Sequence, residues 1–275
     1  MSFLEKLDKF DRRYIFMLIG LAVFIPILLK VVITVPPSPV VSSIYESIDK
    51  LPENSVVLLS FDYDPSTRAE LQPMAAAIVD HCFRKNLKIV AMAFWAPGVQ
   101  LANTILAEKG AKYSKQYGVD YINLGYKVGG LVVMDNMGTS IRNAYPNDAE
   151  NTPLDTFPFM KRVSKLQDMA MVISFSAGDP GIKQWAMIAH DRYKLPVTGG
   201  VTAVTAPEIM PMYNSGQLIG FMGGLRGAAE YETLLSLPDY ASRAMSAQTW
   251  AHMVIILLII VGNTTMFLLK KQKAQ

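Results

Sequence analysis

Long apolar runs open and close the chain, and between them short apolar runs alternate with segments of helical period. Tyr14–Val35 is apolar apart from Lys30, and Ala251–Leu269 reads AHMVIILLIIVGNTTMFLL. About 20 apolar residues cross a bilayer as a helix, so transmembrane helices are expected at residues 14–35 and 250–269. Pro26 kinks the first without forbidding it, and the long stem of Lys30 reaches back to the headgroups. A cleaved signal peptide fits less well, because the run is long and no A-x-A site precedes the proline-rich stretch Pro36–Pro39. Trp250 marks one interface of the second span and Lys270–Lys273 the other. Asn263, Thr264 and Thr265 inside it suit helix–helix packing.

Residues 36–249 follow another rhythm. Val40–Leu51 reads as an amphipathic helix. Val56–Phe61 is a short apolar run ending in Asp62, Asp64, Pro65 and two hydroxyls, the pattern of a buried strand that stops in a turn. Leu71, Met74, Ala75, Ile78, Val79 and Cys82 then recur at helical spacing through Ala69–Lys85. Strands are expected next at Leu87–Trp95, Tyr121–Tyr126, Ala170–Phe175 and Pro196–Ala203. Helices are expected at Gly98–Tyr117, Leu131–Ala144, Phe159–Gln167, Ile182–Tyr193, Pro207–Asn214 and Gln217–Leu235, with a loop at Pro146–Pro158. Such alternation predicts an α/β fold, a Rossmann-like, mainly parallel sheet with helices on both faces, flanked by an N-terminal and a C-terminal transmembrane helix.

Charge sets the expected orientation. Lys6, Lys9, Arg12 and Arg13 lie before the first apolar run, and Lys270, Lys271 and Lys273 follow the last. Basic flanks face the cytoplasm, so residues 1–13 and 270–275 are expected there. The protein then passes twice through the cytoplasmic membrane, and its main domain lies in the periplasm or outside the cell. Net charge is only +3, with the basic excess at the ends. Nucleic acid is therefore not an expected partner, since it needs a concentrated basic face. One cysteine, Cys82, permits neither an intrachain disulfide nor a cysteine-built zinc site. His81, His190 and His252 show no metal-ligand spacing. No cofactor is expected from the residues alone.

Candidate chemistry gathers where strands end, because ligands of open α/β sheets sit outside the carboxyl ends of the strands. Asp62, Asp64, Trp95, Lys127, Ser174, Ser176 and Asp179 fall at such ends and could line one crevice for a small polar ligand. Asp64 and Ser66 also suit turn and helix-cap roles. The loop Ser174–Gly181 offers glycines and hydroxyls before a helix, as anion-binding turns do, but lacks the Gly-Lys-Ser/Thr ending of a phosphate loop. No GxSxG elbow is present. Gly216, Gly220, Gly223, Gly224 and Gly227 repeat at about four-residue spacing, which on one helix would let a second backbone approach and form a subunit interface.

The apolar strand followed by Asp62-Tyr63-Asp64-Pro65-Ser66 resembles the first motif of the haloacid dehalogenase-like phosphohydrolases. The resemblance implies Asp62 as nucleophile, Asp64 as general acid/base and Mg²⁺ between carboxylate and phosphate. Ser174 or Ser176 would match that family's strand-end hydroxyl, and Asp179 would stand near its last acidic motif. Its acidic pair and its lysine have no clear counterpart here. The rhythm of Val197–Leu235 is also similar to the closing part of one lobe of a periplasmic sugar-binding protein, although the chain has room for one lobe only.

The expected function is non-enzymatic: a membrane-anchored, extracytoplasmic interaction or structural subunit of a cell-envelope assembly, bound to protein partners or to copies of itself, with room for a small ligand. The alternatives are the Mg²⁺-dependent phosphohydrolase and a ligand sensor, the latter needing a partner for output because the cytoplasmic ends are short.

Overall fold

A computed structural model describes residues 11–273. It divides into two compact units, one of Val35–Ala241 and one that joins the chain up to Thr34 with the chain from Ser242.

In the larger unit six strands form one parallel sheet in the order β3-β2-β1-β4-β5-β6. They are β1 (Val56–Asp62), β2 (Lys88–Ala93), β3 (Tyr121–Tyr126), β4 (Met171–Ser176), β5 (Val197–Val201) and β6 (Phe221–Gly223). All seven residues of β1 are buried, as expected of a strand covered on both faces. The order reverses between β1 and β4, whose register sets Ser60 beside Ser174 and Asp62 beside Ser176.

Helices cover both faces. α2 (Pro39–Asp49), α3 (Arg68–Arg84), α4 (Ala96–Tyr113) and α9 (Gly224–Leu234) pack on one side. On the other side are α5 (Leu131–Thr139), α6 (Ile141–Ala144), three 3₁₀ turns between residues 154 and 168, and α7 (Ile182–Trp185), which continues as a π-helix over Ala186–Arg192. α8 (Ala206–Asn214) lies between β5 and β6 in sequence. Leu58, Val90, Met92, Ile122, Val172 and Trp185 belong to the core under this second layer. The α/β expectation therefore holds for the domain.

Three expectations are corrected. Gln217–Leu235 is not one helix: Phe221–Gly223 pairs with β5 as an edge strand, and α9 starts only at Gly224. Three residues with a glycine are too short for a strand pattern, and pairing with Gly199–Val201 supplies what local propensity lacks. Leu131–Ala144 is helical but breaks at Ser140, whose extended backbone starts a second short helix with its hydroxyl accepting from Asn143 N–H. Phe159–Gln167 is a pair of 3₁₀ turns rather than a helix.

The smaller unit holds α1 (Arg12–Leu28) and most of α10 (Tyr240–Lys273). Among the described residues one helix, Tyr240–Gln272, is long and apolar enough to cross a membrane. The N-terminal helix is shorter than the expected span, because the backbone leaves helical geometry at Lys30, where φ is 51°. Its 17 residues reach about 26 Å at 1.5 Å each, against a hydrocarbon core of about 30 Å. Within this unit Ile33 N–H donates to Ser246 Oγ at 2.7 Å, and Pro26 and Thr265 are buried. Residues 1–10, with Lys6 and Lys9 of the expected cytoplasmic end, lie outside the described residues.

Candidate functional site

Successive side chains of a strand point to opposite faces, so Ser60, Asp62, Ser174 and Ser176 share one face at the β1/β4 reversal, where ligands of open α/β sheets bind. The reversal places three serines and an acid beside each other without the help of a motif.

Asp62 is completely buried. Ser60 Oγ donates to its Oδ2 at 2.6 Å and Phe94 N–H donates to its Oδ1 at 2.7 Å. Burial pushes its pKa up to about 7, and these two hydrogen bonds pull in the opposite direction. The first turn of α4 helps close the strand end: a Cβ on Gly98 would lie 1.9 Å from the Phe61 carbonyl oxygen. Asp64 is half-buried at the surface, and its Oδ1 accepts from Ser66 N–H at 2.9 Å and Ser66 Oγ at 2.6 Å. Those bonds hold its carboxyl below the usual range. One carboxyl is thus sealed in the core while the other closes a turn. The side chain between them, Tyr63, is buried and donates to Gln72. This arrangement does not offer the shared carboxylate pair that Mg²⁺ and a phosphate require, and among the described residues no group of three or more His, Cys, Asp or Glu side chains could hold a metal ion.

The other expected site residues scatter. Ser176 Oγ accepts from Ile182 N–H at 3.1 Å and serves the start of α7. Ser174 Oγ is buried without a hydrogen-bond partner among the described residues. The Lys127 ammonium donates to the Ala144 carbonyl and sits 5.1 Å from the centre of the Tyr145 ring, so it is folded back rather than presented at the rim. Trp95 is half-buried against Gly178. Asp179 lines both a hollow of about 220 Å³ beside Ser176, Lys183 and Glu208 and a cleft of about 450 Å³.

That larger cleft is lined by Phe94, Tyr126, Val128, Leu131, Asp179 and Gln184, among others. Its rim is apolar and exposed: Val128 is 75 % exposed, Tyr126 46 % and Leu131 41 %, and Val132, which follows Leu131 in the chain, is 66 % exposed. The glycine pair 129–130, with φ of +131° and +46°, turns the chain from β3 into α5 and holds Val128 and Leu131 at the mouth. Sequence reasoning missed this rim. Val128, Leu131 and Val132 look like ordinary core positions in the chain, and only their exposure distinguishes them.

Two further buried groups were not legible either. The buried Tyr145 hydroxyl and Trp185 Nε1 have no hydrogen-bond partner among the described residues. Trp185 packs 5.9 Å from Phe94, ring centre to ring centre, and burial raises the pKa of Tyr145, with the Asp62 charge acting in the same direction.

The glycines do not form one stripe. A Cβ on Gly220 would meet the Val40 carbonyl oxygen at 2.1 Å, on Gly223 the Ala206 Cβ at 2.9 Å, on Gly224 the Ala203 Cβ at 2.8 Å, and on Gly227 the Met222 Cα at 2.8 Å. Each faces this chain's own backbone or side chains. Gly216 meets nothing and occupies a turn at φ +80°.

No protein-family model matches the chain, and neither the curated proteins nor the solved structures contain a match.

Proposed function

We propose that the protein is a membrane-anchored α/β interaction subunit of a cell-envelope assembly, with its domain outside the cytoplasm. The observation that carries this reading is the helix Tyr240–Gln272, whose apolar window has mean hydropathy 2.2 and is almost wholly unburied. Lys270 and Lys271 follow the apolar stretch, the flank that faces the cytoplasm under the positive-inside rule. The Ile33–Ser246 hydrogen bond supports the N-terminal apolar segment as a second part of the anchor. A domain so tethered meets partners in the plane of the membrane, and the exposed apolar rim of the larger cleft supports a role in contact with another protein.

The test is the mass and composition of the particle extracted from native membranes in mild detergent. A particle containing other defined subunits, or several copies of the chain, is the expected result. A lone monomer would overturn the reading. The phosphohydrolase alternative is tested in parallel by Mg²⁺-dependent hydrolysis of p-nitrophenyl phosphate and its loss in Asp62→Asn, and it requires the sealed Asp62 carboxyl to become accessible.

A further inference from the structure

We propose that the apolar rim around Asp179 docks a protein segment that presents a lysine or arginine side chain flanked by apolar residues. This inference rests on the interaction reading above and names the chemistry of the partner.

The argument begins with an imbalance. Tyr126, Val128 and Leu131 stand exposed around one cleft of about 450 Å³. Clustered apolar exposure in a folded domain marks a surface that another molecule covers. Within this rim the single charged lining residue of the cleft is Asp179. Its carboxylate makes no hydrogen bond or ion pair among the described residues, and Lys183, the cation that feels its charge, is bonded to another acid. Lys183, close enough for the Asp179 charge to raise its pKa, is held by Glu208 at 2.7 Å. The domain therefore presents a carboxylate without a hydrogen-bonded or ion-paired partner at the edge of an apolar cleft.

Complementarity then fixes the occupant. A basic side chain supplies the missing charge, and apolar neighbours cover the rim; charge pairing of this kind selects partners and register. An anionic ligand is disfavoured by Asp179. A small amine paired with Asp179 is too small for a cleft of about 450 Å³ and would leave the exposed side chains of Val128 and Tyr126 uncovered. A chain segment covers both.

The experiment selects a randomised twelve-residue phage-displayed peptide library on the full chain in mild detergent, with Asp179→Lys and Val128→Glu as comparisons. Both positions are exposed, so both variants are expected to keep the wild-type thermal midpoint. Enrichment of peptides with Lys or Arg beside apolar residues is expected on the wild type. Binding of a selected peptide should weaken at least tenfold in either variant, and selection on Asp179→Lys should turn toward Asp or Glu. No enrichment, or enrichment indifferent to both substitutions, would overturn the proposal. Equal competition by butylammonium alone would overturn its assignment to a protein segment. The native-particle measurement separates this inference from the reading beneath it. A large particle without peptide enrichment refutes the docking surface alone, whereas a monomer that enriches basic peptides refutes the assembly alone.

Discussion

Asp62 and His81 act on stability in opposite directions. Burial raises the Asp62 pKa to about 7 and lowers that of His81 to about 4. His81 is stacked on Tyr45 and bonded through Nδ1 to the Tyr231 hydroxyl at 2.7 Å, with Asp49 opposing the shift. Between about pH 4 and 7 the folded state holds the Asp62 proton that the unfolded chain releases, so this residue makes stability fall as pH rises. Between about pH 4 and 6.5 the unfolded chain holds a His81 proton that the fold excludes, so this residue makes stability rise with pH. The wild type should therefore be nearly flat from pH 4 to 6.5. Asp62→Asn keeps an acceptor for Phe94 N–H and should unmask a rise of about 3 kcal/mol across that window, at about 1.4 kcal/mol per pKa unit. Thermal midpoints in detergent against pH check this, and a variant as flat as the wild type would show that Asp62 does not titrate there.

At the scale of elements, close backbone approaches decide what can change. The first turn of α4 lies against the end of β1, so Gly98→Ala should cost about 3 kcal/mol by overpacking. Gly216 has space but a left-handed backbone. There alanine should cost about 1 kcal/mol, and asparagine less. The order Gly98→Ala, Gly216→Ala, Gly216→Asn in falling thermal destabilisation checks that space and conformation are separate constraints. Gly227→Ala should resemble Gly98→Ala, since it would part α9 from β6. The spacing of these glycines is visible in the chain, but their roles were not: β6 is three residues long, and the pairing with β5 that creates it comes from residues about twenty positions earlier.

For the whole molecule the decisive quantity is topology. Cys82 is the only cysteine and is fully buried, with its thiol pushed up to about 12 by burial. The native chain should therefore remain unlabelled by a membrane-impermeant maleimide. Val204→Cys, placed at an 83 % exposed position, should label from outside intact cells without permeabilisation. Labelling only after permeabilisation would reverse the proposed orientation. Removing residues 250–273 should weaken retention of the chain in membranes washed with alkaline carbonate, and unchanged retention would shift the anchor to the N-terminal segment.

The sequence by itself determined the α/β class, the positions of the first five strands, and a C-terminal helix suited to a bilayer. These follow from local physics: continuous apolar runs need burial on both faces, and a long terminal run needs an apolar solvent. Tertiary structure alone decided the sixth strand and the fate of the candidate site. Asp62 and Asp64 are two residues apart in the chain, yet β1 ends between them, so one is sealed beneath the sheet's covering layer and the other closes a surface turn. Lys127 bends to a carbonyl seventeen residues away, while Asp179 keeps an open place between two hollows. Burial and pairing depend on which distant segments arrive at the same strand end, and no local pattern carries that information.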